Sequence, residues 1–216
     1  MQKYLRTGER FEQREKSIIV HFKSPRVVLS TGDFNGGLRR DLTAVFNHDI
    51  TDENGVCALT EETYEKELEK LAKELGLSPA HATGMSTAVC MTHMAAVELS
   101  YEGLNVGALV TGGIDVNGGR AGDPASFCER NGEFYELPRG TINTILLIGA
   151  SLPDGILARA LVTATEAKAA ALQELLLPSQ YSSGIATGSG TDGVIAVCDP
   201  NAPLRLTNAG KHSKLG

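Results

Sequence analysis

The chain has no tryptophan, and aromatic residues make up only 5% of it. It therefore offers little of the stacking surface that single-stranded nucleic-acid binders use. No apolar run reaches the roughly 18 residues of a membrane-spanning helix. The opening MQKYLRTGERFEQREK is charged and lacks the apolar stretch of a secretion signal. Positive charge is not in excess either: 20 Lys and Arg stand against 26 Asp and Glu, a net charge of -6. That excludes a basic nucleic-acid surface and a basic membrane-binding face. Cysteine is sparse: Cys57, Cys90, Cys128 and Cys198 form neither a CxxC nor a Cys/His doublet. A structural zinc site is thereby excluded, and free thiols in a reducing cytoplasm are expected.

What remains is the composition of an ordinary globule, 216 residues long with 42% hydrophobic and 21% charged residues, so a single domain over 1–216 is expected. The 24 glycines are clustered, and the clusters repeat. VVLSTGDFNGGLRRD spans Val27 to Asp41, and GALVTGGIDVNGGRAGD spans Gly107 to Asp123. Each is an apolar run, then Thr-Gly, then Asn-Gly-Gly, then an Asp four residues later. After each loop come a strand pattern, a helix pattern and Ala-Thr-Gly, at Ala82–Gly84 and Ala186–Gly188. Recurrence in this order suggests an internal duplication over about 26–101 and 105–199.

Local patterns give the elements. Ser17–Phe22 and Arg26–Ser30 read as two strands of a hairpin around Lys23-Ser24-Pro25. Leu59–Leu77 reads as a helix capped by Thr60, with Tyr64, Leu68, Leu71 and Leu75 as its apolar stripe and Gly76 as its stop. Met85–Leu99 reads as one long strand, Phe127–Arg139 as a polar loop, and Thr141–Gly149 and Gly193–Cys198 as buried strands. Ser151–Leu176 reads as a long helix opened by a capping box of Ser151 and Asp154. The expected class is α/β in the α+β sense: a mixed, largely antiparallel sheet with packed helices and two β-loop-β-α-β halves. The halves could lie side by side in one sheet or stack face to face with the helices outside.

Candidate chemistry follows from three Gly-rich turns, whose exposed N–H groups suit anions or amide oxygens. They are Asn35-Gly36-Gly37, Asn117-Gly118-Gly119 and Gly188-Ser189-Gly190-Thr191-Asp192. None is a P-loop or a dinucleotide fingerprint. At about 100° per residue, Lys168 falls in the middle of the long helix's apolar face, with Leu157, Leu161, Ala164, Ala171, Leu172 and Leu175. Glu166 falls near the opposite side, in solvent. An ammonium facing a sheet needs a carboxylate or a ligand, and Asp192 and Asp123 are the candidates. His48, among polar residues in an apolar run, is a candidate base, and Thr31 and Thr191 are candidate nucleophiles or turn caps. No HExxH, GxSxG or Cys–His arrangement is present.

Taken together, several motifs resemble the adenosylcobinamide amidohydrolase family of corrinoid salvage. They are Ser30-Thr31-Gly32 with Asn35-Gly36-Gly37, Thr111-Gly112 with Ala121-Gly122-Asp123, and Gly140-Thr141-Ile142-Asn143-Thr144. Ala164-Thr165-Glu166-Ala167-Lys168, Thr187–Asp192 and Gly210-Lys211-His212-Ser213 complete the set, over about 26–216. The chain departs in having Asn117-Gly118 where Asn-Ala is expected, and in ending at Gly216, a little short of the family pattern. The resemblance implies hydrolysis of the amide that links the aminopropanol arm to the corrin ring, giving adenosylcobyric acid and 1-amino-2-propanol. In that chemistry Asp192 or Asp123 would act as base or orienter, and Lys168 would stabilise charge or assist the leaving amine. Asn35, Asn117 and Asn143, with Gly36, Gly37, Gly118, Gly188, Gly190 and Thr191, would bind the amide-decorated substrate. The corrinoid is then substrate and no cofactor is required; Asp33, His48, Asp49 and Asp123 leave a divalent metal open. A small-molecule partner, no nucleic acid, no membrane and a homo-oligomer are expected. The competing classes are a non-catalytic corrinoid or nucleotide binder, and an amidase or acyltransferase on another small substrate.

Overall fold

In a computed structural model the described residues are 1–52, 61–125 and 140–216. The strands are β1 (Gln2–Tyr4), β2 (Arg10–Gln13), β3 (Ser17–Ser30), β4 (Gly37–Asp49), β5 (Ala82–Thr87), β6 (Ala95–Tyr101) and β7 (Leu104–Gly113), then β8 (Gly118–Gly119), β9 (Thr141–Ile148), β10 (Gly188–Ser189) and β11 (Gly193–Cys198). The helices are α1 (Glu61–Glu74), between β4 and β5, and α2 (Asp154–Glu174), between β9 and β10. The class is α+β, with one curled mixed sheet and two helices. Among the described residues no helix is long and apolar enough to cross a membrane.

The sheet runs β1-β2-β3-β11-β9-β7-β6, with β4 along the other edge of β3 and β5 beyond β4. Its two arms face each other. Side chains that alternate inward, such as Val20 on β3, Val45 on β4, Leu109 on β7, Ile145 on β9 and Ile195 on β11, meet in one core. The outward set on β3 and β4, Ile19, Ala44 and Phe46, packs under α1 through Leu68, Ala72 and Leu75. The outward set on β9 and β11, Ile148, Ala196 and Cys198, packs under α2 through Leu157 and Ala160. So the sheet is continuous and also folded over, with the helices outside.

The two segments carrying the sequence echo share one pairing order. β3 pairs antiparallel with β4, and β4 pairs parallel with β5. β7 pairs antiparallel with β9, and β9 pairs parallel with β11. The motifs themselves sit differently: Asn35-Gly36-Gly37 leads directly into β4 and Ala82-Thr83-Gly84 opens β5, whereas Gly118-Gly119 and Gly188 belong to the separate ribbon β8–β10.

Four local expectations change. The hairpin at Lys23-Ser24-Pro25 is instead a bend within the single strand β3, where the register against β4 shifts between His21 and Arg26. A proline without an N–H is tolerated at such a bulge. Met85–Leu99 is broken by a 3-10 turn at Met91–His93 into β5 and β6. The capping box is absent: α2 starts at Asp154 behind Pro153, with no side-chain cap. Ser151 is drawn instead into a bridge with Arg205. The helix also ends earlier than expected, because Leu176 adopts φ +54, a left-handed conformation. Thr60, Cys57, Cys128 and Phe127–Arg139 lie outside the described residues.

Two outcomes can be measured. A Cβ on Gly84 would fall inside the Phe46 ring. Gly84→Ala is therefore expected to lower unfolding free energy by about 1–3 kcal/mol. Gly155→Ala, with nothing within 4 Å, should leave it unchanged or higher in urea titrations. His48 is half-buried against α1, and burial holds its pKa below the ordinary histidine value. The unfolded chain then binds the proton more readily. Stability from this site is full above the ordinary histidine range and falls as pH drops through it. His48→Gln should flatten the fall in Tm between about pH 7 and 5.

Candidate functional site

Lys168 sits on the sheet-facing side of α2, its side chain 19% exposed, and its ammonium donates to Asp192, 11% exposed. Asp192 closes the turn between β10 and β11. Its carboxylate also accepts the Ile142 N–H at 2.9 Å, the Ser189 N–H at 3.0 Å and the Ser189 hydroxyl at 2.6 Å. One carboxylate thus ties the start of β9, its own turn and α2. Four donors occupy its lone pairs, so Asp192 is built to hold Lys168 in place. Gly188 makes the pairing possible: a Cβ there would collide with both the Asp192 carboxylate and the Lys168 ammonium. Glu166 is on the exposed side, 3.6 Å from Lys211.

The second Gly-rich loop is stitched to the same end. Gly118 and Gly119 pair with Ser189 and Gly188 as the small ribbon β8–β10. Asn117 donates to Gly140 O at 3.0 Å and accepts from the Tyr181 hydroxyl at 3.1 Å. The Thr191 hydroxyl donates to Gly140 O at 2.9 Å, and Gly190 lies beside Asn117. Asp123 accepts from the Ser179 hydroxyl at 2.6 Å and the Arg120 N–H at 2.7 Å. Hydrogen bonds from Ser179 and Ser182, then from Arg120, hold its carboxyl below the usual range, which weakens it as a base.

The first loop faces a different neighbour. Asn35, at φ +50, donates to Pro79 O at 2.7 Å and to Ala82 O at 2.9 Å, and Gly37 follows at φ +77. Gly36 packs on Gly32 O. Thr31 comes closer to the ion pair: its hydroxyl accepts from Val194 N–H at 2.9 Å, two residues beyond Asp192. His48 does not join this cluster. Its Nδ1 lies 2.7 Å from the Ser17 hydroxyl, in a cleft with Lys16 and Glu67 beside α1. Among the described residues no three His, Cys, Asp or Glu side chains gather to hold a metal ion. Asp33, His48, Asp49 and Asp123 do not converge.

Asn143 is buried between the two arms, donating to Asn47 Oδ1 at 2.9 Å and Ser86 O at 2.7 Å. Asn47 in turn donates to the Thr111 hydroxyl at 2.9 Å. These bonds satisfy polar groups that would otherwise be costly in the core. Asn47 escaped the sequence reading, although it shares the inward face of β4 with Val45, where a polar residue breaks the pattern. Ser189 enters the sequence pattern only as part of its Gly-rich turn; its hydroxyl bond to Asp192 at 2.6 Å gives it a role of its own.

Beside Lys168 a groove of about 550 Å³ opens between α2 and the outer face of β7 and β9. Among the described residues Lys168 is the only charged side chain along it, and neither Asn-Gly-Gly loop lines it.

The family model described as adenosylcobinamide amidohydrolase matches residues 1–216, the whole chain. An uncharacterized protein of Methanocaldococcus jannaschii is 31% identical over 215 residues, covering 94% of this chain and 81% of the relative. No solved structure shows a significant match. The chain is thus a member of the adenosylcobinamide amidohydrolase family.

Proposed function

We propose that this protein hydrolyses the amide between the corrin ring and the aminopropanol arm of adenosylcobinamide, releasing adenosylcobyric acid and 1-amino-2-propanol. The observation that carries the reading is an ammonium, Lys168, fixed by Asp192 on the wall of a groove whose other described side chains are uncharged and mostly aliphatic. Water adds to the amide carbonyl carbon, the C–N bond breaks, and the amine leaves with a proton from that water. Negative charge builds on the carbonyl oxygen as water adds. A cation held in a partly desolvated place stabilises that charge far better than one in bulk water. Lys168 takes that role in our reading, and Asp192 positions it. Gly188 is the small residue that lets the two approach.

Incubation with adenosylcobinamide, with and without divalent metal, should yield both products by mass spectrometry. No product under either condition overturns the reading. Lys168→Met should retain the fold and lose about 10²–10³ in kcat. Asp192→Asn and Gly188→Ala should lower kcat in the same direction with a smaller change in KM. A non-catalytic corrinoid binder would show ligand retention with no turnover in the wild-type chain. An amidase of other specificity would cleave simple amides that carry no ring.

A further inference from the structure

The groove beside Lys168 has an unusual cause. The helix wall is Ala164, Ala167 and Ala171, and the sheet floor is Val106, Ala108 and Val110. Alanines end at Cβ, so α2 spans this part of the sheet without filling the space beneath it. α2 packs instead on β9 and β11, through Leu157 and Ala160. The outer face of β7 is only half covered, with Val110 packed near Leu172, and the slot so left has a helical wall, a pleated wall and Leu215 and Gly216 along it. Beyond it Leu99 of β6 is 70% exposed. Its volume lies within the roughly 300–1,000 Å³ typical of small-molecule sites.

We propose that this slot seats the methyl-bearing rim of the corrin macrocycle and so sets the specificity of the reaction; this rests on the hydrolase reading above. Two features select such an occupant. The slot is lined by aliphatic side chains, as suits a ring whose rim carries methyl and methylene groups. It adjoins Lys168, whose ammonium has three N–H donors, one of them taken by Asp192. A dry protein cover, such as a second copy of the chain, would strand the others at a cost. An amide carbonyl at the ring's edge accepts one of them.

The test uses adenosylcobyric acid as probe, since it keeps the ring and lacks the scissile bond. Ala164→Phe, and independently Ala108→Leu on the floor, should weaken its binding at least tenfold. Each should raise KM for adenosylcobinamide more than it lowers kcat, with Tm preserved. Thr165→Phe, on the exposed side of the same helix, should change neither. Wild-type turnover with unaltered ring binding in both groove variants overturns the slot and leaves the hydrolase reading standing. A change in sedimentation without a change in binding assigns the slot to a second copy instead, and also overturns it. Neither binding nor turnover in the wild-type chain overturns both readings.

Discussion

The antiparallel ladder between Val27–Ser30 of β3 and residues 195–198 of β11 is the contact on which the rest of the molecule depends. It joins the first strands to the last and turns two smaller sheets into one. Without it, β3 and β11 would each present a row of unpaired N–H and C=O groups. The bend between His21 and Arg26 then lets that sheet fold over its own inner face. Arg26 marks the bend: it is 7% exposed and reaches Glu9 and Asp199, each at 3.3 Å. A cation buried this deeply is tolerated because two carboxylates flank it. The core exists only once these remote segments meet, so the fold is strongly non-local.

Placement of the ion pair follows from that ladder. Asp192 directly precedes β11, so pairing of β11 with β9 sets where the carboxylate lies. Ile142 N–H, at the start of β9, then anchors it. α2 crosses from the far end of β9 and delivers Lys168 from above. Three elements converge on one carboxylate, each positioned by backbone that the sheet already fixes. This is the kind of support that holds a functional side chain in one place. The same crossover leaves the outer face of β7 half covered, so pair and groove are two results of one helix path.

Residues with a strong period were the legible ones. The stripe of Tyr64, Leu68, Leu71 and Leu75 gives α1 directly, and Gly76, at φ +79, ends it as a left-handed cap. Lys168 was legible because a helical wheel puts it on the sheet side. Ala171 and Leu175, assigned to the same face, are exposed, since the wheel cannot show that the helix overhangs the edge of its packing surface. The bend of β3 was illegible because Lys-Ser-Pro looks alike at a turn and at a bulge. The capping box failed because Pro153 sits at the helix boundary and Ser151 finds a backbone partner near Arg205. Membership of one cluster is a tertiary property: His48 and Asn35 carry suitable groups, yet their strand ends face α1 and the Pro79 turn.

The repeated Ala-Thr-Gly shows how one local motif serves two ends. In both halves its threonine binds that half's Gly-rich loop: Thr83 donates to Phe34 O at 2.7 Å, and the Thr187 hydroxyl accepts from Ala121 N–H at 2.9 Å. In both halves its glycine clears space. At Gly84 the space is filled by Phe46, and the first half gains a packed core under α1. At Gly188 the space is filled by the Lys168–Asp192 contact. A side chain at either glycine meets a wall: the Phe46 ring at Gly84, the Lys168–Asp192 pair at Gly188. The same three-residue motif thus clears room for an aromatic ring at Gly84 and for an ion pair at Gly188.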